Sequence, residues 1–510
     1  MNKLLFLIFI LTSNFTFAQN KSGYTQVFGL QGIYARFDGT SSIPITGQLF
    51  SNNPMYVFSK GHSNICDSAS GKLLMLCNGY ILYDTTGVIM ENGDSLFPHN
   101  IYNHYTYPAC RTTQGSLIIP KGSANFFYVF TPTITDSSYS YWINNPLGDG
   151  RLPFDLLQYH IVDMNANGGL GKVVQKNIPL LMNTEMFKVG MMACRHANGY
   201  DWWLLKQGAP ENKIYTFLVT KDTVQLDTIQ SFSAPVYNSY YDLRGQSCFS
   251  SKGDKYAFAT NAPNGGAKLF ISDFDRCYGI VRNVKEILVP HDSSYTPLDN
   301  VFGPLFDSTI NGVCFSPNDS FLYITRRYTI YQYDLFESDT SLAMKLIKQG
   351  TDTTFDVFSD YGQLYKGIDN KIYIGKFDDG TSQNSVINKP NLKGAACDFC
   401  KKCLRYDMSG WPTNSFPNMP DFNLGAMATP CAPLSQGENG DPSKHEWSCY
   451  PNPANNTLYF KNATNQQKQL LNIYGQVLFT TKKEEMDISW LPSGIYFVRC
   501  GSVVKKVLIQ

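Results

Sequence analysis

Charge is scarce in this chain. Of 510 residues, 16% are Asp, Glu, Lys or Arg, and the formal net charge is +1. That balance leaves no electrostatic footprint for nucleic acid or an anionic membrane surface. Long apolar runs are missing too. The run from Leu4 to Leu11 is too short to cross a bilayer, and no later segment is long and apolar enough to cross as a helix. None of the seven histidines belongs to an H-E-x-x-H pair, and no G-x-S-x-G elbow is present. These absences exclude the zinc-protease and serine-hydrolase signatures, and no cofactor or metal is implied.

Aromatic residues are plentiful. They make up 14% of the chain, with 32 Tyr and 34 Phe, and flat half-buried rings favour strands. The N-terminus reads as a secretory signal over residues 1–18. Lys3 supplies the positive region, Leu4 to Leu11 the apolar stretch, and Thr16-Phe17-Ala18 the small-residue cleavage site. An exported chain permits disulfides among its 13 cysteines, and the odd count leaves at least one unpaired in a monomer.

From residue 24 to about 430, short apolar runs such as Leu73-Leu74-Met75-Leu76 and Phe126-Phe127-Tyr128-Val129-Phe130 alternate with Gly, Asn, Asp and Pro. Their length and turn flanks indicate strands. A repeat emerges at Cys66…Gly71, Cys110…Gly115, Cys194…Gly199, Cys248…Gly253 and Cys314…Asp319, with a sixth copy at Tyr365…Asn370. Each copy leads into an apolar strand. Units of this kind cannot bury both faces alone, so they stack radially as blades. The expected fold is therefore all-β: a β-propeller over residues 19–432, most simply of seven blades with six or eight open. The N-terminal strands, joined by the segment from Phe416 to Leu424, are expected to close the seventh blade. A polar, Gly- and Pro-containing linker follows over 433–447. A small Ig-like β-sandwich is expected over 448–510.

That last segment carries Tyr450-Pro451-Asn452-Pro453, Ile473-Tyr474-Gly475, Pro492-Ser493-Gly494-Ile495-Tyr496 and a basic end at Lys505 and Lys506. It resembles the C-terminal sorting domain (type A) of the bacterial type IX secretion system. The resemblance implies export across both membranes to the cell surface or medium, with the secretion machinery as partner and these residues as the sorting signal. Whether the mature protein is anchored or released stays open. Upstream, Phe28-Gly29, Val162-Asp163-Met164…Gly168-Gly169-Leu170-Gly171, Phe315-Ser316-Pro317, Pro390-Asn391…Gly394…Cys397 and Phe416-Pro417-Asn418 occur in consistent order. Together they resemble a family of secreted β-propeller proteins that commonly carry such sorting domains. That likeness implies architecture and export more than chemistry.

The candidate chemistry is thin. Cys397, Cys400, Cys403 and Cys431 form a cluster that reads first as disulfides in an oxidising compartment; free thiols and zinc are the other readings. The blade cysteines, placed in one register, read as buried packing positions rather than a thiol ring around a metal. Asp163-Met-Asn165-Ala-Asn167-Gly168 opens like a calcium loop, but Val174 stands where the bidentate acid belongs, so a glycine-rich turn is the better reading. His99, Tyr102, His104, Tyr105 and Tyr107 make a polar-aromatic loop suited to a glycan or peptide ligand. His196, after Arg195, is placed where it would face the channel. The repeated S-x-D-x-G-x-T-W box of sialidase propellers is missing. The leading expectation is a binding or interaction protein. A secreted hydrolase or lyase acting on glycans or peptides, and a structural adhesion component, are the alternatives.

Overall fold

A computed structural model describes residues 20–509, apart from 31, 38–44, 50–56, 59, 98–109, 111, 123–124, 146–153, 209–212, 232–244, 262–266, 291–308, 350–360, 377–382, 406–414, 430, 432–446, 473–476 and 501–502. The proposed signal peptide lies outside the described residues. The chain divides into two compact units, one ending at Cys431 and the other beginning at Ala432.

The first unit is a seven-bladed β-propeller. Blade I comprises Thr25–Leu30, Ile33–Arg36, Ile45–Gln48 and Val57–Phe58, and blade II comprises Ser63–Cys66, Leu73–Cys77 and Leu82–Tyr83. Blades III and IV are fused into one seven-stranded sheet. The fusion is made by the 24-residue strand Lys172–Arg195. Its first half pairs with Phe154–Asp163 as the outer edge of blade III, and its second half pairs with Trp202–Gly208 as the inner strand of blade IV. Blades V, VI and VII are four-stranded antiparallel sheets that begin at Ser247, Ile310 and Tyr361.

Shared cores close the ring. Val27 of blade I packs with Leu76 and Tyr83 of blade II. On its other side Ala35 packs with Tyr373 and Val386 of blade VII. Further clusters join IV to V, V to VI and VI to VII. Strands thus buried on both faces read as near-continuous apolar runs, as in Phe321–Arg326, where all six residues are buried.

Two details differ from the sequence expectation. Blade I closes the ring with its own strands, and the described residues of the segment 415–431 add none. This segment runs instead along the propeller axis. There Asn418 donates through Nδ2 to the carbonyls of Ser116 and Met191, and its backbone N–H donates to His62 O. Inner strands have no strand neighbour on the axial side, so side-chain amides fill that role. Gln114 reaches Ser247 and Asn418, while Gln246 bridges Val313 and Leu364.

The blade cysteines also do not hold one register. Cys194, Cys248 and Cys314 occupy equivalent positions, since each pairs across its hairpin with the residue nine positions on, Trp203, Ala257 and Tyr323, whereas Tyr365 pairs with Tyr373, eight positions on. Cys66 sits one residue nearer its turn, after a bulge. Cys110 precedes the inner strand Leu117–Pro120 altogether. It is caged by glycines: a Cβ on Gly61, Gly79 or Gly115 would collide with it.

The second unit contains a three-stranded sheet, Ser448–Tyr450, Thr457–Lys461 and Glu485–Asp487. Its other sheet has four strands: Val477–Thr481, Lys468–Leu471, Gly494–Cys500 and Val503–Ile509. Leu458, Phe460, Leu470, Met486, Val498 and Ile509 form a common core between them.

Candidate functional site

A pocket of about 730 Å³ opens along the propeller axis. The hairpin turns that follow the inner strands wall one side of it, and Phe416 to Gly425 of the axial segment wall the other. Lys366 is held there by Asp421 at 2.8 Å and by Ser251 Oγ at 2.8 Å, so both partners of this ion pair are engaged. Asp421 Oδ1 also accepts from the Asn423 N–H. Burial pushes the Cys194 and Cys314 thiols up to about 12, and raises Cys248 as well. These thiols stay protonated at neutral pH and act as packing groups.

A second pocket, of about 940 Å³, adjoins the first and shares Asn20, Arg195 and Gly199 with it. Lys121, Phe126, Tyr200, Asp201 and Lys221 line it. Arg195 stands at the junction, with its guanidinium carbon 3.7 Å from the centroid of the Trp202 ring. Its Nη1 donates to the Tyr200 carbonyl at 3.1 Å. Burial lowers its pKa to about 10, which leaves it charged at neutral pH. Behind it, Arg276 spends its donors on the carbonyls of Arg195, His196, Lys252 and Gly425, locking the axial segment to the blade IV turn.

His196, expected to face the channel, is instead turned against Trp203, with ring centroids 5.2 Å apart. Its Nδ1 accepts from the Asn198 N–H and its Nε2 lies 3.2 Å from Cys277 O. The neighbouring Arg195, the last residue of its strand, lines both pockets instead. The loop with His99, Tyr102, His104, Tyr105 and Tyr107 lies outside the described residues. So does Gly475 of the sorting segment.

The cysteine cluster does not assemble as a set. Cys400 is bonded to Cys403, Cys431 is bonded to Cys277, and Cys397 is a buried free thiol. Cys431 follows the axial segment back to the blade V hairpin, and this brings it to Cys277, a residue with no distinguishing spacing in the sequence. Cys449 and Cys500 are also free. Among the described residues no three His, Cys, Asp or Glu side chains converge as metal donors. Asp163 spends Oδ1 on the N–H and amide of Asn165, within a turn in which Asn167, Gly168, Gly169 and Gly171 all have positive φ.

In the second unit, the Pro-Asn-Pro run clamps the last strand. Asn452 Nδ2 donates to Lys506 O, its Oδ1 accepts from Leu508 N–H, and Ala454 bridges Ile509 in parallel. Tyr496 Oη donates to Pro492 O, and Lys505 Nζ lies 5.3 Å from the Trp447 ring centroid. Lys506 is exposed, as is Tyr450.

A β-propeller followed by a separate two-sheet unit is the class these features define. Residues 448–510 match the secretion system C-terminal sorting domain family. The chain is accordingly an exported, cell-surface or secreted protein that carries the address of the type IX secretion system. A comparison with curated proteins found no match. Among solved structures, a protein from Lactobacillus plantarum is similar at 11% identity and TM-score 0.39, covering 79% of this chain and 98% of that one. A periplasmic gluconolactonase from Pseudomonas aeruginosa is similar at 10% identity and TM-score 0.40, covering 78% and 99%. The Cps50 (Swd1) β-propeller domain from Myceliophteria thermophila is similar at 10% identity and TM-score 0.32, covering 70% and 96%.

Proposed function

We propose that this is an exported binding protein whose propeller captures an extracellular ligand at the two adjoining pockets, while residues 448–510 direct its secretion. The observation that carries the reading is the junction at Arg195, where two pockets of ligand size meet over one stacked guanidinium. Residues 1–18 act as the signal peptide for the inner membrane. Tyr450, Pro451, Asn452, Pro453, Gly475, Gly494, Tyr496, Lys505 and Lys506 form the sorting signal. Within it, Asn452 fixes the strand that presents the two lysines.

A hydrolase would need free acid and base groups converging on one bond. The carboxylate lining the axial pocket, Asp421, is instead committed to Lys366 and Asn423, which favours capture over turnover. The test is a screen of the purified full-length protein against soluble glycans and peptides, with product analysis. Saturable retention without products is the expected outcome. Turnover of any ligand would replace the binding reading with the enzymatic one.

A further inference from the structure

The geometry points to an acidic glycan, bearing uronate carboxylates or sulfate esters, as the ligand, with Arg195 as the residue that engages its anionic group. This rests on the binding reading above. The two pockets together are lined by five cations, Lys60, Lys121, Arg195, Lys221 and Lys366, against the two carboxylates Asp201 and Asp421. The surplus is concentrated on one region of a chain whose whole net charge is +1.

Two of these cations have counter-ions: Lys366 is paired with Asp421, and Lys221 with Asp222 at 3.3 Å, while Asp201 accepts from the Asn198 amide. Lys60, Lys121 and Arg195 remain against Asp201. Among the described residues no carboxylate lies within ion-pair distance of Arg195, and the one hydrogen bond its guanidinium makes there is the Nη1 donation to Tyr200 O. The remaining edge of the guanidinium keeps its fork of donors. Stacking on Trp202 fixes the plane of that fork, which suits a planar carboxylate or the oxygens of a sulfate. Tyr200, 81% exposed beside it, offers a face on which a sugar ring can stack. The Asn370 amide and the Nδ2 donors of Asn20 and Asn423, all exposed or half-exposed, supply hydroxyl partners around the axial pocket, whereas the Asn198 amide is spent within its own turn. An acidic peptide would satisfy the charge but leaves this amide and aromatic lining unexplained.

The experiment measures binding of polygalacturonate, chondroitin sulfate, neutral dextran and poly-glutamate to the full-length protein by calorimetry at two salt concentrations. The expected result is saturable binding of one or both acidic glycans, weakened by salt, and none of dextran. Comparing polygalacturonate with chondroitin sulfate separates carboxylate from sulfate as the recognised group. Arg195→Gln should weaken binding about tenfold or more, and Arg195→Lys should recover only part of the loss because it keeps the charge without the fork. Lys221→Gln, at an exposed position where folding is not at stake, should cost a few-fold, and Arg499→Gln in the second unit should cost nothing. Equal binding of dextran, or acidic-glycan binding insensitive to both pocket variants, overturns the inference and leaves the binding reading standing. Preference for poly-glutamate over both glycans overturns the glycan class. Failure to bind any of the four also overturns the inference, whereas glycan cleavage overturns the binding reading itself.

Discussion

The two units use β-structure in opposite ways. In the propeller, a strand such as Phe321–Arg326 is buried on both faces between neighbouring blades. In the sorting unit, Thr457–Lys461 alternates, with Leu458 and Phe460 buried and Tyr459 exposed. At the sheet edge, Val477–Leu478–Phe479 is exposed throughout. Stacking sheets radially consumes both faces of each blade, whereas two sheets packed against each other consume one face each. The propeller therefore keeps its chemistry at the axis and the turns, and the sorting unit leaves whole strand faces available to a partner.

Removing residues 448–510 is the bluntest way to separate the two roles. Export to the surface or medium is expected to collapse, while the propeller retains its own unfolding transition. Normal export of the truncated chain, measured by fractionation, would break the division of labour. Burial predicts the next largest effect. Leu322→Ala and Tyr323→Ala should each destabilise the propeller by about 2–5 kcal/mol although they are adjacent and point to opposite faces. Leu458→Ala should be comparably costly to its own unit, but Tyr459→Ala only about 0.5 kcal/mol. Denaturant melts of the four variants would reveal whether the one-face, two-face contrast holds.

The Cys277–Cys431 bond spans 154 residues and ties the end of the axial segment to blade V. Cys431→Ser should cost the propeller about 2–4 kcal/mol and leave the sorting unit's transition in place. The smallest effect per unit of condition is acid sensitivity. His160 is buried with its pKa lowered to about 3, chiefly by desolvation, with Lys176 adding to it. Its Nδ1 accepts from Asn177 N–H, which leaves Nε2 to donate to Thr131 Oγ1. The unfolded chain thus binds a proton that the folded one refuses between about pH 6.5 and 3. Propeller stability should fall across that window by up to about 1.4 kcal/mol per pH unit, with no contribution from this group above it. His160→Gln should flatten the slope in thermal melts taken from pH 7 to 4.

The propeller was legible in the sequence because its turns recur: Cys194…Gly199, Cys248…Gly253 and Cys314…Asp319 each close an inner strand. Cys110…Gly115 resembled them and misled, since it is a glycine cage ahead of its blade. The axial role of Gln114, Gln246 and Asn418 was not legible, although Asn418 stood in the Phe416-Pro417-Asn418 motif, because an amide that satisfies main-chain groups 133 or 302 residues away carries no local period. Cys277 was hidden for the same reason. Of the candidate site, Arg195 was visible only as the neighbour of His196. Two hydrophilic residues in succession at a strand end do not reveal which of them faces the cavity.

The 24-residue strand Lys172–Arg195 makes two blades into one cooperative body. Its main chain is the last rung of one and the first of the next, so neither can fray without straining the ladder of the other. Most joints of this ring are side-chain contacts that can loosen individually; this one is a continuous backbone hinge-point without a loop. Blades III and IV are thereby joined through main chain as well as through side chains, and Arg195 is the last residue of the strand that joins them.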